Sequence, residues 1–208
     1  MGDNLVKFIK EGKFGSLNPV VCLKIAFEKT KGYCDKRKAN GDYETIARER
    51  DTTPEKAYKD DFQGKMAEFA CHLTFPNLSE PDINVYAIKD KRFSQDLRGP
   101  NFTVSVKSFD VDSPYPPSGV FQTESPGGGD PMGEDYCFMV AVDMKNLRGQ
   151  VLAVLPMSEV KANLKPLVHP RFRGKKKALY LADVPFVLKK LEEEGRMEKG
   201  KQFCFVGI

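Results

Sequence analysis

Lys107 closes the polar face of the segment NFTVSVKSFD, residues 101 to 110. With the two-residue period of a strand, Phe102, Val104 and Val106 point one way, and Thr103, Ser105 and Lys107 the other. The apolar face is an ordinary core face, whereas a face ending in an ammonium can floor a site that handles anions. Two upstream carboxylates could share that work: Asp82, behind Pro81 in SEPDINVY, and Glu68 within GKMAEFA. Mg2+ suits such hard oxygen donors, usually keeping several waters and taking one or two carboxylates. Hydrolysis of a phosphodiester builds negative charge on its oxygens and needs a water made nucleophilic near neutral pH, which a bound metal ion supplies. Asp82 is the expected direct ligand and the Val106 carbonyl a second, with Glu68 ligating directly or through water. Lys107 would place the attacking water and hold the phosphate; as an ammonium it cannot act as a base unless its pKa is depressed.

Helices and strands must bring these residues together. The stretch TTPEKAYKDDFQGKMAEFACHLTF predicts a helix with Thr53 as N-cap, Pro54 at the first helical position and Glu55 in the first turn. Phe62, Met66, Phe69, Ala70 and Leu73 form its expected core stripe. Asp61, Lys65, Glu68 and His72 form a neighbouring polar strip, which puts Glu68 beside the buried face. Two helices are expected before it, in LNPVVCLKIAFEKTKGY and GDYETIARERD. After PNLSE the chemistry turns to strands: PDINVYAI, NFTVSVKSF, YCFMVAVDM and QVLAVLP, the last two joined by a hairpin connection MKNLRG. KKALYLAD, a helix DVPFVLKKLEEEG and a short strand QFCFVGI close the chain. This order predicts an α/β fold, with α+β as the alternative, built on a mixed sheet flanked by helices.

The default is one domain over residues 1–208, with a helical region 1–50, a core 51–160 and a helix-and-strand region 161–208. Residues 111–135 hold five prolines and five glycines without regular period, and read as a long loop of the kind that serves function.

The order Glu68, Pro81-Asp82, Ser105-Val106-Lys107 resembles the PD-(D/E)xK superfamily of restriction-endonuclease-like nucleases. The likeness covers the middle third of the chain. It implies a restriction-endonuclease-like core and a Mg2+-dependent endonuclease that cuts double-stranded DNA, type II restriction-like and sequence-specific, with Mn2+ able to substitute. It also implies a homodimer if both strands are cut together, and a site of Glu68, Asp82, Ser105 and Lys107. The chain departs from the pattern at Ser105, where the family carries an acid. A hydroxyl is a weaker ligand, so Asp82 and Glu68 would supply the negative charge.

Composition narrows the alternatives. With 40% hydrophobic and 30% charged residues the chain is globular, and a net charge of +4 accommodates nucleic acid without demanding it. The five cysteines (22, 34, 71, 137 and 204) are scattered without a CxxC pair and read as reduced thiols. His72 and His169 are too few for a histidine-rich metal centre. No run reaches the length of a membrane span, and MGDNLVKFIKEGKFG is unlike a secretory signal, so a cytoplasmic protein is expected.

The densest basic run, HPRFRGKKKALY, offers Arg171, Arg173, Lys175, Lys176 and Lys177 as backbone-phosphate contacts. Gln122, beside Phe121 in the long loop, could read an adenine edge. Asp110, Asp112 and Glu124 could replace the missing acid, though a solvated loop face explains them as well. His72 reads as a hydrogen-bonded surface residue, and SPGGGDPMG lacks the phosphate-loop pattern. Within the enzyme class the rivals are a structure-selective or repair nuclease and an exonuclease. From another class, the serine at 105 favours a catalytically silent DNA- or protein-binding module.

Overall fold

The computed structural model describes residues 19–86, 96–122, 132–167 and 176–196. Strand β1 (Val21–Cys22) leads into three helices, α1 (Lys24–Ala39), α2 (Asp42–Arg50) and α3 (Pro54–Thr74). The Thr53 hydroxyl accepts the Lys56 N–H at 3.2 Å and Pro54 opens α3, so the expected cap forms. The helix is not simply two-faced, however. Met66 to Cys71 are all buried, because the sheet covers one side of α3 while α1 and α2 cover the other. The polar strip expected beside the core is therefore an interior seam. Leu73, expected in the core stripe, lies past this sandwiched stretch and is 48% exposed.

The main sheet has the order β1-β6-β5-β3-β2, with β2 (Leu97–Arg98), β3 (Thr103–Asp110), β5 (Tyr136–Asp143) and β6 (Arg148–Pro156). Strand β3 runs parallel to β5 and antiparallel to β2, and β5 and β6 are antiparallel, so the sheet is mixed and the α/β expectation holds. In MKNLRG the Asp143 carboxylate accepts the Asn146 backbone and side-chain N–H groups, and Leu147 adopts φ 50° to complete the hairpin. The segment expected as strand PDINVYAI is irregular over 81–86. Asp82 accepts N–H groups from Asn84 and the Tyr86 hydroxyl, and such local bonds compete with a ladder.

A second sheet crosses the opposite face in the order β4-β8-β7, from β4 (Ser118–Gln122), β7 (Lys165–Pro166) and β8 (Lys176–Tyr180). Strand β4 falls inside the stretch expected to be loop: Val120 opposes Ala178, and Phe121 is buried among the side chains under the main sheet. Helices α4 (Met157–Ala162) and α5 (Val184–Glu193) complete that side. Two cores result. Val104, Phe138, Val140 and Val142 pack toward α1–α3, while Phe109, Cys137, Met139 and Ala141 pack toward β4, β8 and α5. Among the described residues no helix is long and apolar enough to cross a membrane. The expected strand QFCFVGI lies outside the described residues.

Candidate active site

The short hairpin of β2 and β3 brings a further carboxylate to the lysine strand. Leu97 opposes Val104 and Arg98 opposes Thr103, and Asp96 immediately precedes this pairing. Gly99 makes the turn possible: its N–H bonds to the Phe102 carbonyl at 2.9 Å, and a Cβ there would lie 2.2 Å from the Phe102 ring. Asp96 Oδ2 accepts the Val106 N–H at 2.7 Å. In an extended strand one residue's N–H and C=O point to the same side, so the Val106 carbonyl faces the same edge as Asp96.

Ser105 is 5% exposed, and Lys107 is half-buried. The Lys107 ammonium lies 5.2 Å from the centre of the Phe121 ring, a cation–π placement. Gly119 lets β4 come this close, since a Cβ there would sit 3.2 Å from Lys107 Cβ. On the other face of β3, the Gln63 amide donates to the Ser108 hydroxyl at 3.2 Å and ties α3 to the strand.

Glu68 enters from α3 and is only 6% exposed. Burial pushes its carboxyl up to about 7; the Lys65 ammonium, 2.6 Å away, opposes that rise, and Asp96 and Asp61 add to it. Lys65 also lies 5.7 Å from the centre of the Tyr33 ring. Behind this pair, buried Arg37 donates to Asp42 at 2.8 Å, to Asp61 at 2.7 Å and to the Tyr33 hydroxyl at 3.2 Å, and the Tyr43 hydroxyl donates to Asp61 at 2.8 Å. Two thiols register how the charges are shared. Burial raises Cys71, and Glu68 and Asp96 raise it further. Cys137 is pushed up to about 12 by burial, with Lys107 opposing and Asp96 adding to the rise. Asp96 thus acts electrostatically on a thiol of each core.

The remaining expected residues are placed as follows. Asp82 is exposed in the irregular segment after α3, with its oxygens engaged by Asn84 and Tyr86. His72 Nδ1 is 2.9 Å from the Leu78 carbonyl, a turn-stabilising contact. Asp110 accepts the Asp112 N–H within its own turn. Gln122 is exposed at the end of β4, opposite Lys176, and Lys177 is exposed opposite Phe121. Arg171, Arg173, Lys175, His169 and Glu124 lie outside the described residues. Asp96 was missed in the sequence, although the turn residues RGPN before NFTVSVK mark a hairpin that returns it to the lysine strand.

Among the described residues no group of three or more His, Cys, Asp or Glu side chains gathers as a metal cluster. Two carboxylates and a backbone carbonyl nevertheless match what Mg2+ takes from a protein when waters complete its shell. Charge points the same way. Arg37 and Lys65 bond Asp42, Asp61 and Glu68, and Asp96 acts on Glu68 as a further negative charge, so the carboxylates around Glu68 outnumber these two cations. No family model, curated protein or solved structure matches the chain.

Proposed function

We propose that the chain is a Mg2+-dependent endonuclease with a restriction-endonuclease-like core, hydrolysing phosphodiester bonds of double-stranded DNA. One observation carries the reading: the Val106 N–H holds Asp96 at the edge of the strand that bears Ser105 and Lys107, within the electrostatic reach of buried Glu68. The resemblance expected a helix glutamate, a strand-initial aspartate and a lysine on the next strand; we take Asp96 for the aspartate, since Asp82 stands in an irregular segment with its oxygens engaged by Asn84 and Tyr86. When bound, Mg2+ would lower the pKa of a water and stabilise charge on the phosphate, with Asp96, Glu68 and the Val106 carbonyl as the residues to hold it.

The chain's own groups do the rest. Lys107 places its ammonium against the phosphate oxygens, and the Phe121 ring steadies it by cation–π attraction. The Val106 N–H fixes the direction of the Asp96 carboxylate, so little reorganisation is needed on binding. Ser105 contributes at most a hydroxyl. Lys177 and Gln122, exposed at the β4–β8 end, would meet the duplex, and a homodimer would let both strands be cut. Cys22, Cys34, Cys71 and Cys137 are free thiols, which suits a cytoplasmic setting.

The serine at 105 and the Lys65–Glu68 pair favour one rival, a DNA- or protein-binding module without catalysis. Digestion of supercoiled plasmid across a Mg2+ titration, with EDTA as control, separates the two. Metal-dependent nicking or linearisation that disappears in Asp96→Asn supports the enzyme, and discrete fragments support sequence specificity over exonuclease action. An inert protein that retains DNA binding supports the rival.

A further inference from the structure

Buried Glu68 has a cation of its own. Lys65, three residues earlier on α3, donates to Glu68 Oε2 at 2.6 Å. Residues at this spacing are neighbours on a helix, so the pair forms without any distortion of the backbone. Both side chains are largely withdrawn from water, at 14% and 8% exposure. The ammonium is also fixed from behind. It lies 5.7 Å from the centre of the Tyr33 ring, whose hydroxyl accepts a hydrogen bond from Arg37 at 3.2 Å. Arg37 is anchored in turn on Asp42 and Asp61. Lys65 is therefore engaged by a carboxylate and by an aromatic ring that the helical layer holds still, with little water to move into.

This leaves the two oxygens of Glu68 unequal. Lys65 donates to Oε2, whereas Oε1 receives no hydrogen bond among the described residues. A carboxylate held in this way offers a cation one oxygen and not two. Hard ions differ in what they make of that. Ca2+ takes about six to eight oxygens and readily accepts both oxygens of one carboxylate, while Mg2+ demands near-ideal octahedral geometry and keeps several waters.

We infer that Lys65 is a positioning residue that makes Glu68 a one-oxygen ligand, and so turns the site toward Mg2+ and away from Ca2+. The inference rests on the reading of Glu68 as a metal ligand; the hold itself rests on the contacts of Lys65 with Glu68 and Tyr33. The positive charge of Lys65 weakens every divalent ion alike. Its hydrogen bond is what discriminates between them, because it decides how many oxygens Glu68 can give.

The experiment follows Mn2+ bound to the protein by electron paramagnetic resonance, and its displacement by Mg2+ or by Ca2+, without nucleic acid. Wild type, Lys65→Met and Glu68→Gln are compared. The quantity read is the ratio of the Ca2+ and Mg2+ concentrations that displace half of the Mn2+, in which a general effect of charge cancels. In the wild type Mg2+ should act at the lower concentration. Lys65→Met frees Oε2, and the ratio should move toward Ca2+ by about tenfold, the scale on which partners that orient metal ligands act. An unchanged ratio in folded Lys65→Met overturns the inference. So does a wild type that prefers Ca2+, a result that needs no variant to fold.

Glu68→Gln tests the reading beneath. If it weakens Mn2+ binding while Lys65→Met leaves the ratio unchanged, Glu68 stays a ligand and only the role of Lys65 falls. If it binds Mn2+ like the wild type, Glu68 is no ligand and both fall. Plasmid cleavage is scored separately: the expected change of ratio in a protein that never cuts keeps the role of Lys65 and removes the nuclease. Thermal melts in EDTA establish which variants are folded.

Discussion

Asp96 accepts the backbone N–H of Val106 at 2.7 Å, which fixes a carboxylate beside the carbonyl of that same residue at the edge of β3. Asp82, the acid that the motif spacing favours, instead turns its oxygens to Asn84 and Tyr86. The two aspartates therefore make opposite predictions. Asp96→Asn should reduce plasmid cleavage by at least about a hundredfold while leaving DNA binding in EDTA nearly intact, in line with loss of a group that acts in the transition state. Asp82→Asn should cut at close to the wild-type rate. The reverse pattern would return the ligand role to Asp82.

Gly119 gives a test of how Lys107 is placed. An added Cβ would stand 3.1 Å from the Phe121 ring and 3.2 Å from Lys107 Cβ, so Gly119→Ala should push the lysine aside without removing it. Turnover should fall roughly tenfold with a small change in melting temperature, since small misplacements of catalytic groups are costly. An unaltered turnover in a folded Gly119→Ala protein would mean that the Phe121 contact does not set the lysine's position.

Stability should depend on pH through Glu68. Its carboxyl is held at about 7 in the fold, above the ordinary carboxylate value of about 4.3 that it regains on unfolding. The folded state then binds the proton more tightly. That contribution is complete below about pH 4 and is lost as pH rises through 7. At about 1.4 kcal/mol per unit, the loss between pH 5 and pH 8 is on the order of 2 kcal/mol. Urea denaturation should show the wild type weakening over this range relative to Glu68→Gln. Parallel pH profiles for the two proteins would remove Glu68 as the source.

Arg37 is the cation on which the interior seam rests, bonding Asp42, Asp61 and Tyr33 together. Arg37→Met should cost about 3–5 kcal/mol, because it leaves buried carboxylates without their partner. The double variant Arg37→Met with Asp42→Asn should recover part of that loss. Recovery measured by denaturant titration would identify the cost as uncompensated charge, and no recovery would identify it as lost packing.

Ser105 lies 5% exposed on the proposed catalytic face. Ser105→Ala should change cleavage less than about threefold, since a hydroxyl is a weak ligand beside two carboxylates. A loss as deep as that of Asp96→Asn would make the hydroxyl a primary ligand.

Local chemistry was enough to read much of this molecule. Thr53 and Pro54 announce the start of α3, the alternation in NFTVSVKSF announces β3, and MKNLRG marks the β5–β6 hairpin, because each depends on neighbours a few residues away. The alternation also puts Ser105 and Lys107 on one face. The burial of Glu68 was not legible. A helical polar strip looks solvated until α1 and α2 cover it, and that covering comes from residues far upstream. The strand inside 111–135 was hidden for the same reason: β4 has no pattern of its own and exists because β8, some sixty residues later, pairs with it. Asp96 reaches the lysine strand through a two-residue strand too short to show any period. Periodicity reports which way a side chain leaves its own backbone. Which carboxylate meets which lysine depends on pairing between distant segments, and that is set by the packing of the whole chain.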